Sequence, residues 1–166
     1  MPRSDQGIDQ RRYMFIPRVL IFVHRGERVL LLKGAAGKRS WAKRYNGVGG
    51  HVERGEDVLS AARRELREET GLDADLHLCG TVTVDAGREA GVVLFVFTGD
   101  CPRGEPKPSA EGSLEWISFS EAASLPTVED LPALLDHLQR MRPGNPPFAA
   151  RAYYDRSERL IIEFIE

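Results

Sequence analysis

The stretch Asn46–Leu72, NGVGGHVERGEDVLSAARRELREETGL, holds five glutamates, an aspartate and four arginines between a glycine run and Gly71. Its second half has helical spacing. Successive residues of an α-helix are about 100° apart. With Glu65 at zero, Glu69 falls at about 40° and Glu68 at about 60° the other way, so three carboxylates share one arc. Leu59, Ala62, Leu66 and Thr70 fall on the adjacent arc and are expected to face a core. The acids thus flank the apolar stripe instead of opposing it. Like charges at i, i+3 and i, i+4 repel, and a divalent cation relieves that repulsion; hard cations such as Mg²⁺ take oxygen ligands. The alternative is a solvated acidic face paired to Arg63, Arg64 and Arg67. The glycines argue against it. Gly47, Gly49 and Gly50 permit a close backbone approach beside the acids, and Gly71 is placed to cap the helix.

On these residues the segment resembles the Nudix box, G-x5-E-x7-R-E-U-x-E-E-x-G-U, with U a bulky aliphatic residue. Gly50, Glu56, Arg64, Glu65, Leu66, Glu68, Glu69, Gly71 and Leu72 occupy its defined positions. The resemblance implies an α/β fold, an α/β/α sandwich around a mixed β-sheet. It implies hydrolysis of nucleoside diphosphate-linked compounds with Mg²⁺, or Mn²⁺ in its place. It assigns Glu65, Glu68 and Glu69 as metal ligands, with the Gly49 carbonyl as a further one. Arg64 orients the carboxylates, Glu56 braces the loop–helix junction, and Gly50, Leu66, Gly71 and Leu72 are structural. Glu65 is the first candidate for general base and Glu68 the second. Glu111, ahead of LEWISF, is a candidate acid outside the box, with Glu115 behind it.

Outside the box the chain is similar to MutT-like enzymes that remove oxidised purine nucleoside triphosphates. That similarity makes Asn46 a base-reading amide, offering both a donor and an acceptor; its bland reading is the first residue of an Asn-Gly turn. Glu129 and Asp130 lie where those relatives carry base-reading acids, although Val128 stands where they have an aromatic residue. Trp41 is suited either to stack on a base or to cover the core. Lys33, Lys38, Arg39, Lys43 and Arg44 form a basic run able to clamp a polyphosphate or simply to face solvent, and His51 is a further phosphate candidate. The function expected is therefore a nucleoside triphosphate pyrophosphohydrolase, 8-oxo-dGTP diphosphatase-like, releasing a monophosphate and pyrophosphate. ADP-ribose, a nucleotide sugar or a dinucleotide polyphosphate is the alternative substrate. A non-catalytic nucleotide sensor is a third reading, against which the complete set of box acids counts.

The rest of the 166 residues reads as one domain, 13–166, after a polar and flexible stretch 1–12. Strands are expected over 14–24, 28–33, 74–84, 91–99 and LEWISF (114–119), then a late hairpin, 148–154 and 159–165. Helices are expected over 57–70 and 130–141, the second with Pro132 in its first turn, and a helical turn over 119–124. A net charge of −2 gives no bulk attraction to a nucleic acid polymer or an anionic membrane. There is neither a bilayer-length apolar run nor a signal-peptide core. Cys79 and Cys101 form no CxxC pair and are expected to be buried free thiols in a reducing cytoplasm. The expected partner is a small-molecule nucleotide, and the expected state a monomer or homodimer.

Overall fold

The computed structural model describes residues 2–7, 9, 11–37, 41–87, 89–101, 103–107, 110–142 and 144–165. A single 3₁₀ turn, Arg3–Gln6, precedes eight strands: β1 (Met14–Arg25), β2 (Arg28–Gly34), β3 (Tyr45–Asn46), β4 (His77–Asp85), β5 (Ala90–Asp100), β6 (Gly112–Ser118), β7 (Phe148–Tyr154) and β8 (Leu160–Ile165). The helices are α1 (Val58–Thr70), α2 (Phe119–Ala122) and α3 (Leu131–Arg140). The strands form one sheet in the order β3-β2-β1-β5-β4-β7-β8, with β6 on the other edge of β2. The β1–β5 and β4–β7 pairs are parallel and the others antiparallel, so the sheet is mixed.

The near-continuous apolar run of β1 follows from burial on both faces. Val19, Ile21 and Val23 face one core with Ala61, Ala62 and Leu66 of α1. Leu20 and Phe22 face a second core with Ala122 of α2 and Leu131, Leu134 and Leu135 of α3. Helices therefore cover both faces, which is the α/β/α arrangement expected. Among the described residues no helix is long and apolar enough to cross a membrane. Both cysteines are buried and free.

The hairpin of β1 and β2 is what creates the site. Its strands pair only at His24–Val29 and Arg25–Arg28, then diverge. Residues 45–52 fill the opening. Tyr45 and Asn46 pair with β2. Past Gly47 the chain crosses to β1, where Ile21 N–H donates to the Val48 carbonyl (2.7 Å), Val19 N–H to Gly50 (2.9 Å) and Val52 N–H to Pro17 (3.1 Å). The glycine run is thereby held as a short rib of the sheet.

Several boundaries differ from the sequence reading. β3 sits inside the segment read as a loop, because two residues paired by tertiary contacts leave no periodic signal. β4 starts at His77, not residue 74, since Ala74 and Leu76 cover the α1 core ahead of the ladder. β6 starts at Gly112, where pairing with Gly34 begins. α1 starts at Val58, with Asp57 outside it as the cap.

Candidate active site

α1 is fixed at both ends by side-chain chemistry. The Asp57 carboxylate accepts the N–H groups of Leu59 (2.9 Å) and Ser60 (3.0 Å), satisfying two donors that the first turn leaves open. At the other end Gly71 takes a left-handed conformation, φ 71°, and its N–H donates to the Arg67 carbonyl. The buried Thr70 hydroxyl donates to the Leu66 carbonyl (2.5 Å) and accepts from Leu72 N–H (3.0 Å). Leu66 and Leu72 are buried beside β1, so the acids of α1 are positioned by packing on their neighbouring arc.

Arg64 organises those acids. Its Nε and Nη2 grip Glu56 as a fork, both at 3.0 Å. Nη1 donates to Glu65 (2.9 Å) and to Glu68 (3.2 Å), and Nη2 donates also to the His51 carbonyl (3.0 Å). One guanidinium thus ties the loop, the helix entrance and two box acids together, as planar forked geometry permits. Those bonds keep Arg64 firmly protonated and hold the Glu56 carboxyl below its usual range, the Arg64 contact being the largest cause. Glu56 also accepts the N–H of Glu53 (3.1 Å).

Glu65 packs directly on Gly50: a Cβ there would clash with the Glu65 carboxylate. The neighbouring Gly49 lies equally close to the backbone carbonyl of Val19. Val48 and Gly50 turn their carbonyls to β1, and the intervening Gly49 faces the other way, donating its N–H to Glu69 (3.3 Å). In extended backbone the N–H and C=O of one residue point to the same side, so the Gly49 carbonyl also faces the acidic helix.

A cleft of about 440 Å³ opens in the β1–β2 gap. Of the residues singled out from sequence, it brings together Trp41, Asn46, Gly49, Gly50, Glu65, Glu69, Glu111 and Asp130, with His51 at its side. Glu68 is outside the lining and its side chain is 61% exposed, though Arg64 joins it to Glu65. Lys33 is outside too: its ammonium lies over the Tyr45 ring, 5.2 Å from the centroid. Lys38 and Arg39 lie outside the described residues. Of the two acids before β6 and on it, Glu111 reaches the cleft, whereas Glu115 accepts the Tyr45 hydroxyl (2.9 Å). Of the acidic pair before α3, Glu129 accepts the N–H of Leu160 (2.8 Å) and Asp130 faces the cleft, where burial pushes its carboxyl pKa up and the nearby Glu129 charge adds to the shift. The Asn46 side-chain oxygen accepts Gly47 N–H (2.8 Å), so the turn and the cleft-lining position coexist. Trp41 packs against Gly34 while lining the same cleft.

Arg18, Glu53 and Leu94 line the cleft without having been singled out. For Arg18 a signal exists, since it is the one charge inside the apolar run of β1 before His24. Among the described residues no three His, Cys, Asp or Glu side chains are gathered closely enough to enclose an ion unaided. The donors at the carboxylate end are all oxygens, which is the set a hard divalent cation takes.

Comparison with known proteins agrees with this architecture. A NUDIX domain profile matches residues 14–138. The oxidized purine nucleoside triphosphate hydrolase of Mus musculus is 35% identical over 104 residues, 61% of this chain and 65% of that protein. The enzyme of the same description from Danio rerio is 36% identical over the same shares. The match thus spans a little under two thirds of the length of these relatives. Among solved structures, the MutT protein from Bacillus halodurans superimposes with a TM-score of 0.75 at 25% identity, over 90% of this chain and 97% of that one. With the profile covering most of its length and the fold in agreement, the chain belongs to the Nudix domain family.

Proposed function

We propose that this chain is a divalent-metal-dependent pyrophosphohydrolase that cuts a nucleoside triphosphate to a monophosphate and pyrophosphate, with an oxidised purine nucleotide as the preferred substrate. The observation that carries this reading is the division of one cleft. Carboxylates and the Gly49 backbone occupy one end; Trp41, Asn46 and Asp130 supply an aromatic face, an amide and a carboxyl for a base elsewhere in it. The identity to the mouse and zebrafish hydrolases supports the substrate class.

Glu65, Glu68, Glu69 and the Gly49 carbonyl are the residues we assign to hold Mg²⁺, or Mn²⁺, and Glu111 is a further acid that lines the cleft. The cation, when bound, offsets the phosphate charge and makes water more acidic. Arg64 keeps Glu65 oriented by a charged hydrogen bond, so its carboxylate is placed to accept a proton from the attacking water. Glu68 is the alternative base. The attack breaks a phosphoric anhydride bond, and the pyrophosphate leaves with the bridging oxygen. Asn46 and Asp130 present complementary hydrogen-bonding groups to a purine edge. The test is a substrate panel of oxidised dGTP, dGTP, ADP-ribose and diadenosine polyphosphates, with Mg²⁺, with Mn²⁺ and with chelator. Oxidised dGTP should show the highest kcat/KM, and chelator should abolish release. Absence of hydrolysis for every substrate would sink the enzymatic reading.

A further inference from the structure

We propose that Arg18 is a substrate-binding residue that receives the polyphosphate of the nucleotide, a role resting on the hydrolase reading above. Arg18 is half-buried on β1 and lines the cleft. Five acids line the same cleft: Glu53, Glu65, Glu69, Glu111 and Asp130. Among the described residues, no hydrogen bond or ion pair engages the Arg18 side chain. Arg64, on α1, is by contrast committed to Glu56, Glu65, Glu68 and the His51 carbonyl. A guanidinium has five donors that cannot be neutralised by deprotonation, so one left unpaired in a cleft is matched to an arriving anion.

Its position along β1 says which part of the substrate it meets. Arg18 pairs across the strands with His51, between the bonds that join Pro17 to Val52 and Val19 to Gly50. Gly50 is the glycine that Glu65 packs on. Asn46 and Gly47 lie further along, where Gly47 abuts Leu20 and Phe22. Along β1, Arg18 is therefore level with the carboxylate end and beyond the amide assigned to the base, on the sheet face it shares with Leu20 by the alternation of the strand. Cross-strand neighbours project to one side of a pair, so His51, also on the cleft wall, adds a second donor beside it. Leu94, opposite Arg18 on β5, lines the same cleft and offers an apolar neighbour for its stem.

The test uses inorganic tripolyphosphate and free deoxyguanosine as separate probes, titrated calorimetrically into wild-type protein, Arg18→Ala and Arg18→Lys with Mg²⁺ present. A lost charged hydrogen bond corresponds to a weakening on the order of tenfold. Tripolyphosphate affinity should fall by that factor in Arg18→Ala and recover in part in Arg18→Lys, with deoxyguanosine unchanged. Melting curves verify folding, and Arg18→Gln replaces the alanine variant should that one not fold. Equal losses for both probes, no loss for tripolyphosphate, or no tripolyphosphate binding by wild type would each overturn the assignment. Loss of tripolyphosphate binding in a protein that hydrolyses nothing would uphold Arg18 and refute the hydrolase reading alone.

Discussion

Substituting the two adjacent glycines of the rib separates the site from the scaffold. In Gly50→Ala the new methyl group clashes with the Glu65 carboxylate. That carboxylate ends a flexible side chain, so it can move, but only by leaving its 2.9 Å bond to Arg64. Forcing a side chain well off its rotamer costs about 1 kcal/mol, which for a chain of this size lowers Tm by about 2–4 °C. A catalytic group displaced by about 1 Å loses roughly a hundredfold in rate. Gly50→Ala should therefore stay folded and lose about two orders of magnitude in kcat/KM. In Gly49→Ala the methyl meets the Val19 backbone carbonyl, which is fixed in β1. Overpacking against an immovable neighbour costs about 3 kcal/mol, so here Tm should fall by about 6–12 °C. Calorimetric melting and steady-state kinetics on the same preparations measure both. The reasoning fails if Gly50→Ala keeps wild-type kcat/KM, or if it melts as low as Gly49→Ala.

Glu68→Gln removes a proposed metal ligand from a largely exposed side chain and should lower turnover by orders of magnitude with little change in melting; wild-type rates at saturating Mg²⁺ would count against the ligand role. Asn46→Ala should reorder the preference among purine triphosphates while leaving the Mg²⁺ dependence in place, as read from kcat/KM across the substrate panel. Asp130 has its pKa raised by burial, so the folded state holds its proton more tightly than the unfolded chain does. The associated stability is fully present below the unfolded-state pKa and lost as pH rises through the folded one. Asp130→Asn should thus melt above wild type at neutral pH, with the gap closing as the solution is acidified; a gap that widens on acidification refutes the sign.

The helix and its acids were legible because their signals are local. Asp57 and Gly71 cap α1 through chemistry within a few residues, and the angular arrangement of Glu65, Glu68 and Glu69 depends on helical pitch alone. The cleft was less so, because it arises from how far β1 and β2 stay paired, a property of long-range packing. That divergence decides which residue of an alternating strand meets the substrate. Leu32 lines the cleft, and its neighbour Lys33 is turned to Tyr45. The basic run gives no hint of that register. Arg18 illustrates the converse: a lone cation in an apolar strand is visible in sequence, but its lack of a partner among the described residues emerges only once the facing loop is in place. Glu129 and Asp130 likewise read as equivalents until the β7–β8 hairpin claims the first through Leu160.

The neck of the loop after β2 has a consequence for how such a cleft can diversify. Gly34 N–H donates to the Arg44 carbonyl (3.0 Å), and Lys43 N–H returns a bond to Gly34 (2.9 Å), so the loop is latched where it leaves and rejoins the sheet. The entropy of closing a loop grows only slowly with its length, by about 0.6 kcal/mol per doubling. Insertions or deletions between these latches can therefore reshape the wall that carries Trp41 while the rib from Tyr45 to Val52 keeps its register on β1. The hydrolytic end is insulated from such length changes. Selection for a new base or leaving group can act on the loop without renegotiating the placement of Glu65 and Glu69.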